Sequence, residues 1–175
     1  DILDLATVDA GIMDLEVDEV DVAVLFASVE QSFAGRFAEA GVELKTAVAS
    51  GITNFKADGQ RLRQVIGNLI SNAVNHAPEG SAVNLSAKLD GSDGVISIQD
   101  EGPGIPSDVL ASVFDRFVAH GNGRRRGGAG LGLSIVKGLV ELHKGSVSIQ
   151  SNAESGTRVD CRFPADPAKF RQAAE

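Results

Sequence analysis

Apolar positions recur along this chain at two spacings, one helical and one alternating. From about 22 to 40, Leu25, Val29, Phe33 and Phe37 fall four apart, which stacks them on one helix face, and Gly41 follows as a stop. A second helical stripe, Leu62, Val65, Ile66, Leu69, Ile70, Ala73 and Val74, fills a complete three–four pattern up to about 77. Asp58 stands before it, where a carboxylate caps the first free amides. The third stripe, from about 131 to 144, carries Leu131, Ile135, Val136, Leu139, Val140 and Leu142 and ends on Lys144-Gly145. Ser107 to about Ser112 reads as a short helix. Alternation predicts strands over 12–18, Glu43–Ala49 and Thr53–Ala57. Two hairpins follow from the same rule: Ala82–Leu89 with Val95–Gln99 around Asp90-Gly91-Ser92-Asp93-Gly94, and Ser146–Ser151 with Thr157–Phe163. At the start, Ile2, Leu5 and Thr7–Asp9 keep near-helical spacing up to Gly11. Residues 1–11 are therefore expected to be the last turns of a helix belonging to a larger protein. Residues 165–175 read as a loose polar tail.

The 175 residues, 43% hydrophobic and 23% charged, suit one globular domain with a sizeable core. A net charge of −8 argues against a general nucleic-acid binder. No apolar run is long enough to span a bilayer and no signal peptide opens the chain, so membrane contact by this segment is not expected. The lone Cys161 has no internal disulfide partner, which fits a cytoplasmic setting.

Candidate chemistry gathers at two glycine-rich stretches. Asp100-Glu101-Gly102-Pro103-Gly104-Ile105 follows the alternating run Val95–Gln99, so a carboxylate is expected at a strand end where the chain turns sharply. An Asx turn would explain Asp100 alone equally well. An acid beside a glycine-floored slot also suits a flat polar ring bearing an amino group. Gly127-Gly128-Ala129-Gly130-Leu131-Gly132-Leu133 runs into the third helix, whose opening amides suit an anion. On the second helix, Asn68, Asn72 and His76 are four apart and line one edge of the core face, with Asn75 beside them. Each asparagine costs roughly half a kcal/mol of helix propensity relative to alanine. An amide oxygen there is a hard ligand of the kind Mg²⁺ accepts. Between the stretches, Phe114-Asp115-Arg116-Phe117 leads into Ala119–Ala129, a nearly apolar-free loop carrying Arg124, Arg125 and Arg126. That loop is expected to close as a lid over phosphates.

Four segments in this order, Asn68-Leu69-Ile70-Ser71-Asn72-Ala73, Asp100 to Ile105, Phe114 to Phe117 and Gly128 to Leu133, resemble the N, G1, F and G2 boxes of the catalytic and ATP-binding domain of bacterial sensor histidine kinases. That domain sits in the superfamily shared with gyrase, Hsp90 and MutL. The resemblance covers about residues 12–164, and its last helix looks most like that of a bacterial cell-cycle kinase. It implies an α/β (α+β) two-layer Bergerat-type sandwich, a mixed sheet of about five strands against three helices. ATP would lie between helices and lid. The resemblance makes Asn72 the Mg²⁺ ligand and Asn68 its support, with Arg116 from the third box as a further catalytic group. It makes Asp100 the acceptor for the adenine amino group, directly and through a water shared with Thr157. Gly102, Gly104 and Ile105 would shape the adenine pocket, while Phe117 would anchor the lid. Gly128, Gly130, Leu131, Gly132 and Leu133 would present backbone and hinge the lid. Implied partners are the chain's own dimerisation and phosphoacceptor domain, a response regulator and, for the full-length protein, a second copy.

Two positions bear on mechanism. ATP-hydrolysing relatives carry a glutamate base where this chain has Asn68. A neutral amide cannot take a proton, so phosphoryl transfer is favoured over efficient hydrolysis. Many kinases also carry a cation where Asn75 stands, with Arg116 and Arg124–Arg126 as possible replacements, and His76 takes the place of a common aromatic. The alternative reading is a degenerate kinase domain acting as a scaffold. His76, His120 and His143 all lack the following acid that a phosphoacceptor histidine needs.

Overall fold

A computed structural model describes residues 13–115 and 131–165. The elements are β1 (Asp18–Asp21), α1 (Val22–Ala40), β2 (Glu43–Val48), β3 (Asn54–Ala57), α2 (Gly59–His76), β4 (Ala82–Asp90), β5 (Asp93–Asp100), α3 (Ser107–Leu110), α4 (Gly132–Leu142), β6 (Ser146–Asn152) and β7 (Gly156–Phe163). The main sheet has five strands in the order β2-β4-β5-β7-β6, and β1 pairs with β3 in a separate two-stranded sheet. Only the β2–β4 pair of the main sheet is parallel; its other pairs are antiparallel. The expected mixed sheet under three long helices is what the chain forms. No described helix is long and apolar enough to cross a membrane.

Local chemistry fixes the helix ends. The Asp21 carboxylate accepts from Val24 N at 2.9 Å to start α1. Gly41 (φ 63°) ends it, the amides of Gly41 and Val42 returning to the carbonyls of Ala38 and Phe37. Asp58 caps α2 as expected, its Oδ1 accepting from Gln60 N and Arg61 N, both at 3.0 Å. All seven apolar positions of the α2 stripe are buried, between α1 on one flank and α4 on the other, over β5. The core face of α1 is wider than its four-apart row: Val22 and Phe26 are buried with Leu25, Val29 and Phe37. Phe33 is half-buried, and a Cβ on Gly67 would lie 3.5 Å from its ring.

Boundaries moved where backbone amides found other partners. The strand expected over 12–18 is instead Asp18–Asp21, laddered to β3. Its upstream residues Met13–Glu16 keep the alternating burial without a ladder, and Glu16 N donates to Asp58 Oδ2 at 3.0 Å. The β4–β5 hairpin closes more tightly than predicted. Asp90 pairs with Asp93 across Gly91-Ser92, with Gly91 at φ 64°. The short helix stops at Leu110 and continues as turns. The helix expected over residues 1–11, the lid and the tail from residue 166 lie outside the described residues.

His143, just past α4, is buried at 1% exposure. Its Nε2 accepts from Asp58 N–H at 3.1 Å, so the ring proton sits on Nδ1, which donates to Leu139 O at 2.8 Å. The ring meets Phe163 edge-on with centroids 5.6 Å apart. One neutral imidazole thereby ties the end of α4 to the start of α2. Burial pushes its pKa below the ordinary 6.5, outweighing the Leu139 carbonyl and Asp58, which favour the charged form. The unfolded chain therefore binds more protons in the window just below pH 6.5. Stability from this group is complete above that value and falls as pH drops from it toward the depressed folded pKa. Urea unfolding followed by circular dichroism should show that acid-side loss in the unsubstituted chain and a smaller one in His143→Gln. His143→Ala should cost about 2–4 kcal/mol at pH 7.5, from the cavity and the orphaned Asp58 amide.

Candidate functional site

Asp100 is the last residue of β5, held between Val83 of β4 and Thr157 of β7. It is 7% exposed, and its Oδ1 accepts from Gly102 N at 2.8 Å. The Asx turn and the strand-end carboxylate are thus the same structure. Burial raises the Asp100 pKa above its ordinary 3.8; the amides of Gly102 and Thr157 and the charge of His76 oppose it. A carboxylate so placed is largely stripped of water, and a carboxylate has acceptor sites beyond two amides with which to receive a ligand amino group.

The loop after Asp100 passes through a slot that only glycines fit. A Cβ on Gly102 would lie 2.8 Å from Asp100 Oδ1 and 3.0 Å from the His76 carbonyl at the end of α2. At Gly104 (φ 75°) it would lie 2.4 Å from the Asn152 carbonyl, and at Gly156 (φ 73°) 2.0 Å from the Asp100 carbonyl. Ile105 N then donates to Ser151 Oγ at 2.7 Å, and Ser151 Oγ shares a proton with Thr157 Oγ1 at 2.7 Å. Thr157 is therefore beside Asp100 by ladder register and tied to the same loop through Ser151. Nothing in the sequence pattern singles out Ser151, a polar residue on an alternating strand.

The asparagine row lies along α2. Asn68 and Asn72 are half-buried and His76 is exposed. Asn68 Nδ2 is fully enclosed and has no hydrogen-bond partner among the described residues, a buried donor in want of an acceptor. The Asn72 carboxamide faces the start of α4: a Cβ on Gly132 would lie 3.8 Å from its Nδ2 and 3.9 Å from its Oδ1. Leu131 is buried and Leu133 packs half-buried against the core, so these two residues anchor the helix start. Leu131 at the N-cap of α4 makes no side-chain cap hydrogen bond among the described residues, and the opening amides of a helix want acceptors. Asn75 is committed differently, with its Oδ1 accepting from Arg36 Nη2 at 2.9 Å. The structure thus gathers Asn68, Asn72, Asp100, Gly102, Gly104, Ile105, Gly132 and Thr157 around the ends of α2, β5 and α4. Arg116, Phe117, Gly128, Gly130 and Arg124–Arg126 lie outside the described residues.

A polar groove on the far side of the sheet, lined by Lys88, Asp90, Ser148, Arg158, Asp160 and Arg162, is occupied by its own pairs. Arg158 Nε reaches Asp160 at 3.0 Å, and Arg162 bonds Asp90 and Asp93. Among the described residues the one buried side-chain polar atom without a hydrogen-bond partner, Asn68 Nδ2, is on the helical side.

Residues 57–167 match the family described as histidine kinase-, DNA gyrase B-, and HSP90-like ATPase. The sensor protein DivL of Caulobacter vibrioides is 38% identical over 94% of this chain and 21% of its own length. Full-length ShkA, crystallised in complex with AMPPNP, superposes with a TM-score of 0.83 at 33% identity over 95% of this chain and 35% of that one. The nucleotide-free catalytic domain of the histidine kinase ThkA shares the fold, with a TM-score of 0.77 at 24% identity over 89% of this chain and 99% of that one. The chain spans between 21% and 34% of the length of four curated relatives it matches.

Because the folded pKa of Asp100 is raised, its ionisation destabilises the ligand-free fold as pH rises above 3.8. Asp100→Asn keeps the acceptor for Gly102 and removes that charge. It should stabilise the free chain at pH 7 by on the order of 1 kcal/mol, the usual gain when a functional strain is removed. Denaturant midpoints by circular dichroism measure this. Gly156→Ala should instead lose about 2 kcal/mol or more, because both φ and the Asp100 carbonyl forbid a Cβ.

Proposed function

The chain belongs to the histidine kinase-, DNA gyrase B- and HSP90-like ATPase family, as the ATP-binding domain of a two-component sensor histidine kinase, and from that premise we propose that it positions Mg²⁺-ATP for transfer of the γ-phosphate to a residue on a preceding dimerisation domain. Asp100 carries the reading. Its buried, desolvated carboxylate accepts from the adenine amino group, with Thr157 beside it. Gly102 and Gly104 let the loop close against Asp100 and the carbonyls of His76 and Asn152, and thereby shape the pocket for the ring.

The phosphate end falls between Asn68, Asn72 and the start of α4. The orphaned Asn68 amide supplies a donor, and the Asn72 carboxamide oxygen is of the right hardness for Mg²⁺. That ion, when bound, neutralises charge on the phosphate oxygens. The protein's own contribution is positioning and hydrogen bonding in a pre-formed cradle. Asn68 has no basic lone pair at neutral pH, so it cannot activate water, and a presented side chain is the favoured acceptor. Arg116 and the Arg124–Arg126 loop are proposed to close over the phosphates. The full-length protein is proposed to act as a homodimer that passes its phosphate to a response regulator in the cytoplasm.

Calorimetric titration of this domain tests the reading. Mg²⁺-ATP should bind, Asp100→Asn should weaken ATP and adenosine alike by about tenfold or more, and Asn72→Ala should abolish the dependence of ATP affinity on Mg²⁺. Absence of ATP binding by the unsubstituted chain would replace the kinase reading with that of a scaffold domain.

A further inference from the structure

Helix α1 sends one cation across to the edge of the asparagine row. The Arg36 guanidinium donates from Nη1 to Ser71 Oγ and from Nη2 to Asn75 Oδ1, both at 2.9 Å. On a helix of 3.6 residues per turn, Asn68, Asn72 and Asn75 fall within an arc of about 60°, with Ser71 on the α1 side of it. Arg36 therefore extends the row that begins at the unpartnered Asn68 amide and includes the Asn72 carboxamide beside Gly132. Two further facts separate it from an ordinary surface arginine. Its described partners are a neutral hydroxyl and a neutral amide, so among the described residues its charge is not spent on a carboxylate. Its fork is also pinned, leaving about three of its five N–H groups free to face a ligand.

A row of neutral amides in a chain of net charge −8 offers little to balance a polyphosphate. A planar guanidinium held at the end of that row supplies charge and paired donors that match phosphate oxygens. We propose that Arg36 is a phosphate-binding residue of the nucleotide site, with Ser71 and Asn75 as positioning residues that aim it. This rests on the nucleotide reading above. Asn75 then acts through Arg36 and not as a direct ligand of the nucleotide.

Calorimetry with two probes, Mg²⁺-ATP and adenosine, tests the proposal on the unsubstituted domain, Arg36→Gln, Arg36→Lys and the double variant Arg36→Gln/Asn75→Lys. Arg36→Gln should bind Mg²⁺-ATP about tenfold more weakly while adenosine affinity is unchanged, with a shallower salt dependence. Arg36→Lys should fall between, since a point charge lacks the fork. The double variant, which returns a cation to the same edge from α2, should regain most of the ATP affinity. Equal losses for both probes with a lowered Tm, or no change for either, would make Arg36 only an interhelical link and overturn the proposal. Binding that depends on Asp100 but ignores Arg36 would leave the nucleotide reading standing; failure of the unsubstituted domain to bind Mg²⁺-ATP would overturn both.

Discussion

A carboxylate buried at the end of a central strand costs stability even where backbone amides donate to it, and Asp100, whose desolvation outweighs its two amides, is such a group. The surrounding backbone is arranged to hold it there. β5 lies between β4 and β7, so the strand end cannot drift. Gly156 lets the β7 backbone close on the Asp100 carbonyl, and Gly102 lets the following loop turn against the last carbonyl of α2. Ser151 bonds the amide of Ile105 and the hydroxyl of Thr157, which joins that loop to the closing hairpin. The outcome is a desolvated acceptor with a fixed direction.

The second requirement is that α2 and α4 keep their separation, which sets the Asn72 carboxamide against Gly132 at the start of α4. That spacing is set at the opposite ends of the helices. Asp58 caps α2 through one oxygen, accepts Glu16 N through the other, and gives its own amide to His143 at the end of α4. A neutral imidazole is suited to this: one nitrogen accepts, the other donates, and burial keeps the ring uncharged. Apolar packing along the α2 stripe provides most of the energy, while these few polar bonds choose one arrangement of the helices.

Features that depend on periodicity or on a single backbone rule were legible in the sequence. The α2 stripe, the Asp58 cap, the Gly41 stop and both hairpins follow from local spacing, and Asp100 was exposed as a candidate by the glycines after it. Features that depend on which elements become neighbours were not. The strand at Asp18–Asp21 needed β3 as a partner, and the residues before it were diverted when Glu16 N met Asp58. His143 looked like an unremarkable helix-end residue until α4 was laid against the start of α2. Arg36 and Asn75 are 39 residues apart, so a cation that seemed missing from α2 is delivered by α1 through tertiary contact alone.

The most direct test of the central claim is to follow the Asp100 carboxyl itself by ¹³C NMR, titrating pH in the free domain and again with saturating adenosine. The Asp100 pKa should lie above the ordinary aspartate value in the free domain and fall on adding adenosine, as the amino group donates to the carboxylate. An Asp100 resonance and pKa indifferent to adenosine, with adenosine bound, would contradict it and move the recognition of the base to another residue.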